Sequence, residues 1–239
     1  MDAHDPLIAA KRAAAEAAVD AYVTSGTAIG LGTGSTAIWA IRRVAERLGD
    51  GSLREVRAVP TSAATAAHAT ALGVPLATLD EVAHLAVTVD GADQVSPTLD
   101  LIKGGGGAHL RERVVAQASA LLVIVVDDSK LTPVLGDGFA LPVEVVPFAV
   151  RPESDFLAGL GFAVSRRLDA AGDAAVSDSG NALLDVVTGP IPDPPGLLAT
   201  LNDRAGVMAV GLFLAMADVV VVAGADGVRE LTAGRVPRP

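Results

Sequence analysis

The stretch from Asp90 to Arg113, 24 residues, holds most of the groups that moving protons on a small anion would need. Asp90 and Asp93 stand three apart in Asp90-Gly91-Ala92-Asp93, at the end of an apolar run from Leu85 to Val89. Lys103 opens Lys103-Gly104-Gly105-Gly106-Gly107, and Glu112 follows within Arg111-Glu112-Arg113. Carboxylates take and return protons, while a cation and bare backbone N–H groups stabilise developing negative charge. The chain has three lysines against fifteen arginines, and two of the three, Lys103 and Lys130, lie in motif-like loops. Four glycines in succession carry a backbone entropy cost that a plain connector does not need. Close approach of a ligand to the bare N–H groups of Gly104, Gly105 and Gly106 explains them better. An isolated Glu112 would read as an ordinary first-turn acid favoured by the helix dipole; beside this loop it reads as a base.

Two further loops could hold an anion. Gly30-Leu31-Gly32-Thr33-Gly34-Ser35-Thr36 falls between a strand-like and a helix-like segment. Its glycines let the backbone approach a ligand, the helix start offers N–H groups, and Thr33, Ser35 and Thr36 add hydroxyls. The dinucleotide fingerprint fails, because Ser35 stands where Gly30-x-Gly32-x-x requires glycine, and no acid ends the next strand. The Walker pattern fails as well, for want of a closing Gly-Lys-Ser/Thr. In Asp127-Asp128-Ser129-Lys130, Lys130 follows the most apolar strand and could meet a phosphate as a point charge. His4, His68, His84 and His109 show no metal-ligand spacing, and His109 is read as a satisfied or solvent-facing side chain.

These loops need elements to hold them. Helical spacing covers Leu7 to Val23, Ala37 to Leu48, Ala63 to Leu72 and Ala108 to Ala118. Strand-like runs lie at Ala28 to Leu31, Arg54 to Val59, Leu85 to Val89, Leu121 to Val126 and Val219 to Ala223. Alternation of this kind implies βαβ units and a parallel sheet with ligands at the strands' carboxyl ends. From Leu141 to Val207 the strands shorten and prolines accumulate, which reads as a small α+β domain. The expected division is 1–137 plus 208–239 for the catalytic domain and 138–207 for the smaller one.

Composition narrows the class. A hydrophobic fraction of 51% with few aromatics suits an α/β core, and a net charge of −10 argues against nucleic acid or an anionic membrane as partner. The same charge requires local groups to draw a phosphate. With no cysteine, thiolate chemistry and disulfides are excluded. The absence of a secretory pattern or long apolar span makes cytoplasmic the expected location.

Taken in order, the motifs resemble type A ribose-5-phosphate isomerase. They are Gly32 to Thr36, Asp90 to Asp93, Lys103 to Ala108 with Arg111-Glu112, Asp128 to Lys130, Leu141 to Val145, Asp178 to Asn181 and Leu184 to Val186. The resemblance runs from about residue 7 to 231. It implies a Rossmann-like parallel-sheet domain, a smaller α+β domain at the interface of a homodimer or homotetramer, and no metal or cofactor. The implied activity interconverts ribose 5-phosphate and ribulose 5-phosphate through a cis-enediolate, in the non-oxidative pentose phosphate pathway. The family's catalytic pattern falls on Glu112, Asp90, Asp93 and Lys103. Its substrate contacts fall on Thr33, Gly34, Ser35, Thr36, Asp90, Gly91, Ala92, Asp93, Lys103, Gly104, Gly105, Gly106 and Lys130. Two departures stand out: Gln94, where the family usually has glutamate, and His109, where an apolar or small residue is common. A sugar-phosphate sensor or a coenzyme A transferase could share the architecture. The first would lack the acid set that Glu112 completes, and the second would be longer.

Overall fold

The computed structural model describes residues 5–232. His4 and the outer ends of the expected catalytic domain lie outside them. In chain order the elements are α1 (Pro6–Tyr22), β1 (Ala28–Leu31), α2 (Ala37–Gly49), β2 (Arg57–Pro60), α3 (Ala63–Ala71), β3 (Val87–Asp90), β4 (Gln94–Val95) and β5 (Leu101–Ile102). There follow α4 (His109–Gln117), β6 (Leu122–Asp127), β7 (Leu141–Val145), α5 (Val150–Gly159), β8 (Ala163–Arg166) and β9 (Ala182–Val187). The last are α6 (Pro194–Asn202), β10 (Val207–Val210), β11 (Leu212–Phe213), β12 (Val219–Gly224) and β13 (Gly227–Thr232). Among the described residues no helix is long and apolar enough to cross a membrane.

The chain divides into two compact units. One comprises Met1–Ala92, Glu112–Leu131 and Met216–Pro239; the other comprises Asp93–Arg111 and Thr132–Ala215. The expected bounds, 138–207, leave out residues 93–111, which cluster with the second unit because β5 pairs with β11 and the Lys103 N–H donates to Gly211 O at 2.9 Å.

The first unit is a six-stranded sheet ordered β13-β12-β6-β3-β1-β2. All neighbours pair in parallel except β12 with β13. Its parallel strands run second, first, third, fourth, fifth, a doubly wound order whose direction of winding reverses between β1 and β3. Strands buried on both faces read as continuous apolar runs, and β6 and β12 are buried throughout or nearly so. Alternate residues (Ile29, Leu31, Val87, Val89, Val123, Val125) pack with the small face of α1, Ala14, Ala15, Ala18 and Val19. That helix begins cleanly, with the Asp5 side chain accepting from Leu7 N and Pro6 in the first turn. The opposite face meets α4. A Cβ at Gly30 would overlap Thr88 Oγ1 and lie 2.7 Å from Val115 Cγ1.

The second unit contains two antiparallel sheets, ordered β10-β7-β9-β8 and β11-β5-β4. The larger sheet packs Leu141, Val143, Val145, Leu184 and Val186 with Leu157 of α5 and Leu201 of α6.

Close packing makes Gly30 a sensitive position. Gly30→Ala is expected to lower stability by about 1–3 kcal/mol, the usual cost of overpacking a core. A fall in the urea midpoint at unchanged slope would show it; an unchanged midpoint would contradict the packing.

Candidate active site

In the first unit the carboxyl ends of β1 and β3 meet at the winding reversal. Gly32 N donates to Val89 O at 2.9 Å, continuing the pairing past the end of β1. Asp90, the last residue of β3, is 1% exposed. Its Oδ1 accepts from Gly91 N at 2.7 Å and from Thr33 N at 3.1 Å. A Cβ at position 32 would overlap that same oxygen, so only glycine leaves the carboxylate its place. Thr33, expected to offer its hydroxyl to an anion, has Oγ1 at 2.7, 2.8 and 3.1 Å from the hydroxyls of Thr61, Ser62 and Thr65, which brace the loop from the end of β2 and the start of α3. Gly34 takes a φ of 113°, which turns the chain into α2. Ser35 is exposed, and Lys11 of α1 donates to its Oγ at 3.1 Å. Thr36 precedes α2 and makes no side-chain cap bond to it.

Lys130 ends a short 3-10 turn directly after β6, at the same edge of the sheet as Asp90. Asp127 organises that turn by accepting from Ser129 N at 3.1 Å. Helix α4 runs back against the sheet, with Ala118 O bonded to Leu85 N and Ser119 Oγ to Thr88 Oγ1, so its first turn begins at that edge. Glu112 belongs to this turn and is 4% exposed. Burial disfavours the charged form of Arg113, the next residue.

In the second unit Asp93 and the glycine run are tied together. Asp93 N donates to Ile102 O at 2.8 Å, and Asp93 Oδ2 accepts from Gly105 N at 2.8 Å. Asp93 therefore lies beyond the strand that Asp90 ends. Lys103 is 2% exposed, among the largest fully buried side chains described, with its ammonium 5.6 Å from the Phe213 ring centroid. Gly104 and Gly107 have φ of 102° and 83°, a region that disfavours any other residue. Gly105 and Gly106 are exposed. Arg167, just past β8, donates from Nη1 to Gly104 O at 2.8 Å and to Gly105 O at 3.0 Å, while its Nε and Nη2 engage Asp185 of β9.

Sequence reasoning passed over Lys11, Arg167 and Phe213 as site residues, and quoted Asp185 only as part of the Leu184 to Val186 motif. The scarcity of lysine was a usable signal for Lys11. None marked Arg167, which is 63 residues from Gly104 in the chain. Among the described residues no group of three or more His, Asp or Glu side chains is arranged to hold a metal ion.

The family model described as ribose 5-phosphate isomerase A (phosphoriboisomerase A) matches residues 57–227. The chain belongs to that family. Ribose-5-phosphate isomerase A of Chloroflexus aurantiacus is 51% identical over 222 residues, covering 93% of this chain and 93% of that protein. The solved ribose 5-phosphate isomerase from Plasmodium falciparum superposes with a TM-score of 0.92 at 35% identity, covering 95% of this chain and 100% of that one. A solved D-ribose-5-phosphate isomerase in complex with phospho-erythronic acid gives a TM-score of 0.92 at 33% identity, over 95% of this chain and 99% of that chain.

Both departures from the isomerase pattern have a structural account. His109 is fully buried, not solvent-facing: its ring packs on Gly104, and its Nε2 lies 3.8 Å from Oε2 of the buried Glu144. Gln94 uses both ends of its amide on one backbone turn, donating to Asp137 O at 2.6 Å and accepting from Gly136 N at 2.8 Å. An ionised glutamate could do only the second. Gln94→Glu is therefore expected to cost about 1–3 kcal/mol at neutral pH, the range for a buried group left unsatisfied. The loss should shrink in acid, where a protonated carboxyl can donate; urea titrations at two pH values measure both.

Proposed function

We propose that this chain carries out the family's interconversion of D-ribose 5-phosphate and D-ribulose 5-phosphate through a cis-enediolate, with Glu112 as the carbon base. After ring opening, Glu112 takes the proton from C2 and returns it at C1. Asp90 and Asp93 divide ring opening and the transfer of the O1/O2 proton between them. Lys103 and the N–H groups of Gly104, Gly105 and Gly106 stabilise the charge of the enediolate. Electrons only shift between C1 and C2 of one molecule, so side-chain acid–base chemistry suffices. The observation that carries the reading is Lys103: an ammonium held almost fully buried at the head of a bare-backbone loop whose Gly105 N–H is fastened to Asp93.

The phosphate is assigned to Gly34, Ser35, Thr36, the N–H groups opening α2, and Lys130, with Lys11 added because of its bond to Ser35. Gly91 and Ala92 contact the sugar through the backbone. The reading includes a cytoplasmic homodimer or homotetramer. In support of oligomerisation, the second unit exposes several large apolar side chains, among them Phe148 at 97%.

Glu112→Gln should reduce kcat by about 10²-fold or more, the range for a general base, at nearly unchanged KM. Near-normal turnover in the folded variant would remove Glu112 from the role. Phosphate grips the sugar without reacting, so its binding energy should be similar in ground and transition states. Ser35→Ala is thus expected to raise KM for ribose 5-phosphate much more than it lowers kcat. The check is kcat/KM for ribose 5-phosphate relative to free ribose; a ratio untouched by the substitution would move the phosphate elsewhere.

A further inference from the structure

We infer that Arg167, oriented by Asp185, is a positioning residue that sets the direction of the Gly105 and Gly106 N–H groups during isomerisation. The inference rests on the isomerase reading above and extends it to residues with no assigned part in the reaction.

The guanidinium is used on both sides. Nε reaches Asp185 Oδ2 at 3.0 Å and Oδ1 at 3.2 Å, and Nη2 binds Oδ1 as well. Nη1 is thereby aimed at two successive carbonyls, Gly104 O at 2.8 Å and Gly105 O at 3.0 Å. In a planar trans peptide the C=O and N–H point in opposite directions. Gly104 O shares its peptide with Gly105 N, and Gly105 O shares its peptide with Gly106 N. Pinning both carbonyls to one cation therefore turns both N–H groups away from it, as a pair. The result is visible for the first of them, since Gly105 N donates to Asp93 Oδ2 at 2.8 Å.

Geometry and charge act together here. A run of glycines left to itself samples a wide backbone space, at about 1–2 kcal/mol per residue to order. Beyond the loop's own Gly107 N to Gly104 O bond at 2.9 Å, two guanidinium hydrogen bonds add order from outside, and the bonds to Asp185 hold the cation that makes them. A cation on the carbonyl side also polarises each peptide and strengthens its N–H as a donor. The Gly105 N–H so directed holds the Asp93 carboxylate in place, and the Gly106 N–H, turned the same way, is left to meet an enediolate oxygen.

A plain sheet ion pair would affect stability; a positioning residue must affect the chemical step. Arg167→Met is expected to lower kcat for ribose 5-phosphate by about 10²-fold, as for loss of an oxyanion donor, with KM within about threefold. Affinity for 4-phosphoerythronate, whose carboxylate imitates the enediolate, should fall in step with kcat. Arg167→Lys guards against a variant that fails to fold. It keeps the charge, but a single point donor cannot serve two carbonyls and a carboxylate, so it too should lose most turnover. Hydrogen–deuterium exchange at residues 104–107 should accelerate in both variants, whatever their activity. Either variant turning over at a rate within about threefold of the parent chain, or unchanged exchange in the loop, would overturn the inference. A parent chain that exchanges as expected but leaves ribose 5-phosphate unchanged would instead overturn the isomerase reading.

Discussion

A side chain at position 32 and the carboxylate of Asp90 cannot occupy the same space, and the carboxyl edge of the parallel sheet is arranged around that exclusion. With glycine there, Asp90 can turn back over the end of β1 and collect the N–H groups of Thr33 and Gly91. The winding reversal between β1 and β3 puts the two strand ends side by side, and the Gly32–Val89 bond sets their register. The hydroxyls of Thr61, Ser62 and Thr65 then fix the far side of the loop through Thr33. What remains pointing outward is Ser35, with Lys11 beside it.

The second unit meets a related need by different means. Its glycine loop is not the continuation of a long buried strand but a run of residues with little conformational preference of its own. Order is imposed from three sides: Asp93 on an N–H, Arg167 on two carbonyls, and the ring of His109 against Gly104. Each contact involves the backbone, so the loop can stay bare toward solvent while its peptides are held. Lys103 enters this loop from a two-residue strand, and its position depends on Gly211 and Phe213 of the neighbouring chain segment.

Which features the sequence revealed follows from this contrast. Leu121 to Val126 and Val219 to Ala223 are apolar because both faces of those strands are covered, so composition alone marks them. Asp90, Lys103 and Glu112 are readable because local spacing ties each to a motif. β4, β5 and β11 have two residues each, too few for any periodicity, and with them went the membership of residues 93–111 in the second unit. β13 is mostly exposed and mixes charge with glycine, so it carried no strand signature despite pairing with β12 along its length. Arg167 and Asp185 lie far in the chain from the glycines they serve, and it is the antiparallel pairing of β8 with β9, Ser165 opposite Asp185, that brings Arg167 diagonally beside Asp185. Thr33 shows what a motif leaves out: a hydroxyl in a glycine loop has one sequence signature, and its bonds to Thr61, Ser62 and Thr65 come from elements the motif does not contain.

The interleaving of the two units also affects how the protein is made. β6 leaves the ribosome about 90 residues before β12, the strand that covers its free edge. At about 5–20 residues per second, that edge waits for several seconds or longer. During that time the nascent chain carries a fully apolar strand with one row of unpaired N–H and C=O groups, the condition that invites pairing with another chain. The second unit has almost all its residues by then and can close first, while the parallel sheet is completed only when β12 and then β13 emerge. A ribosome-bound chain halted before Val219 would thus be a natural client for chaperones, and β13, polar and last made, caps the finished sheet with an edge poorly suited to aggregation.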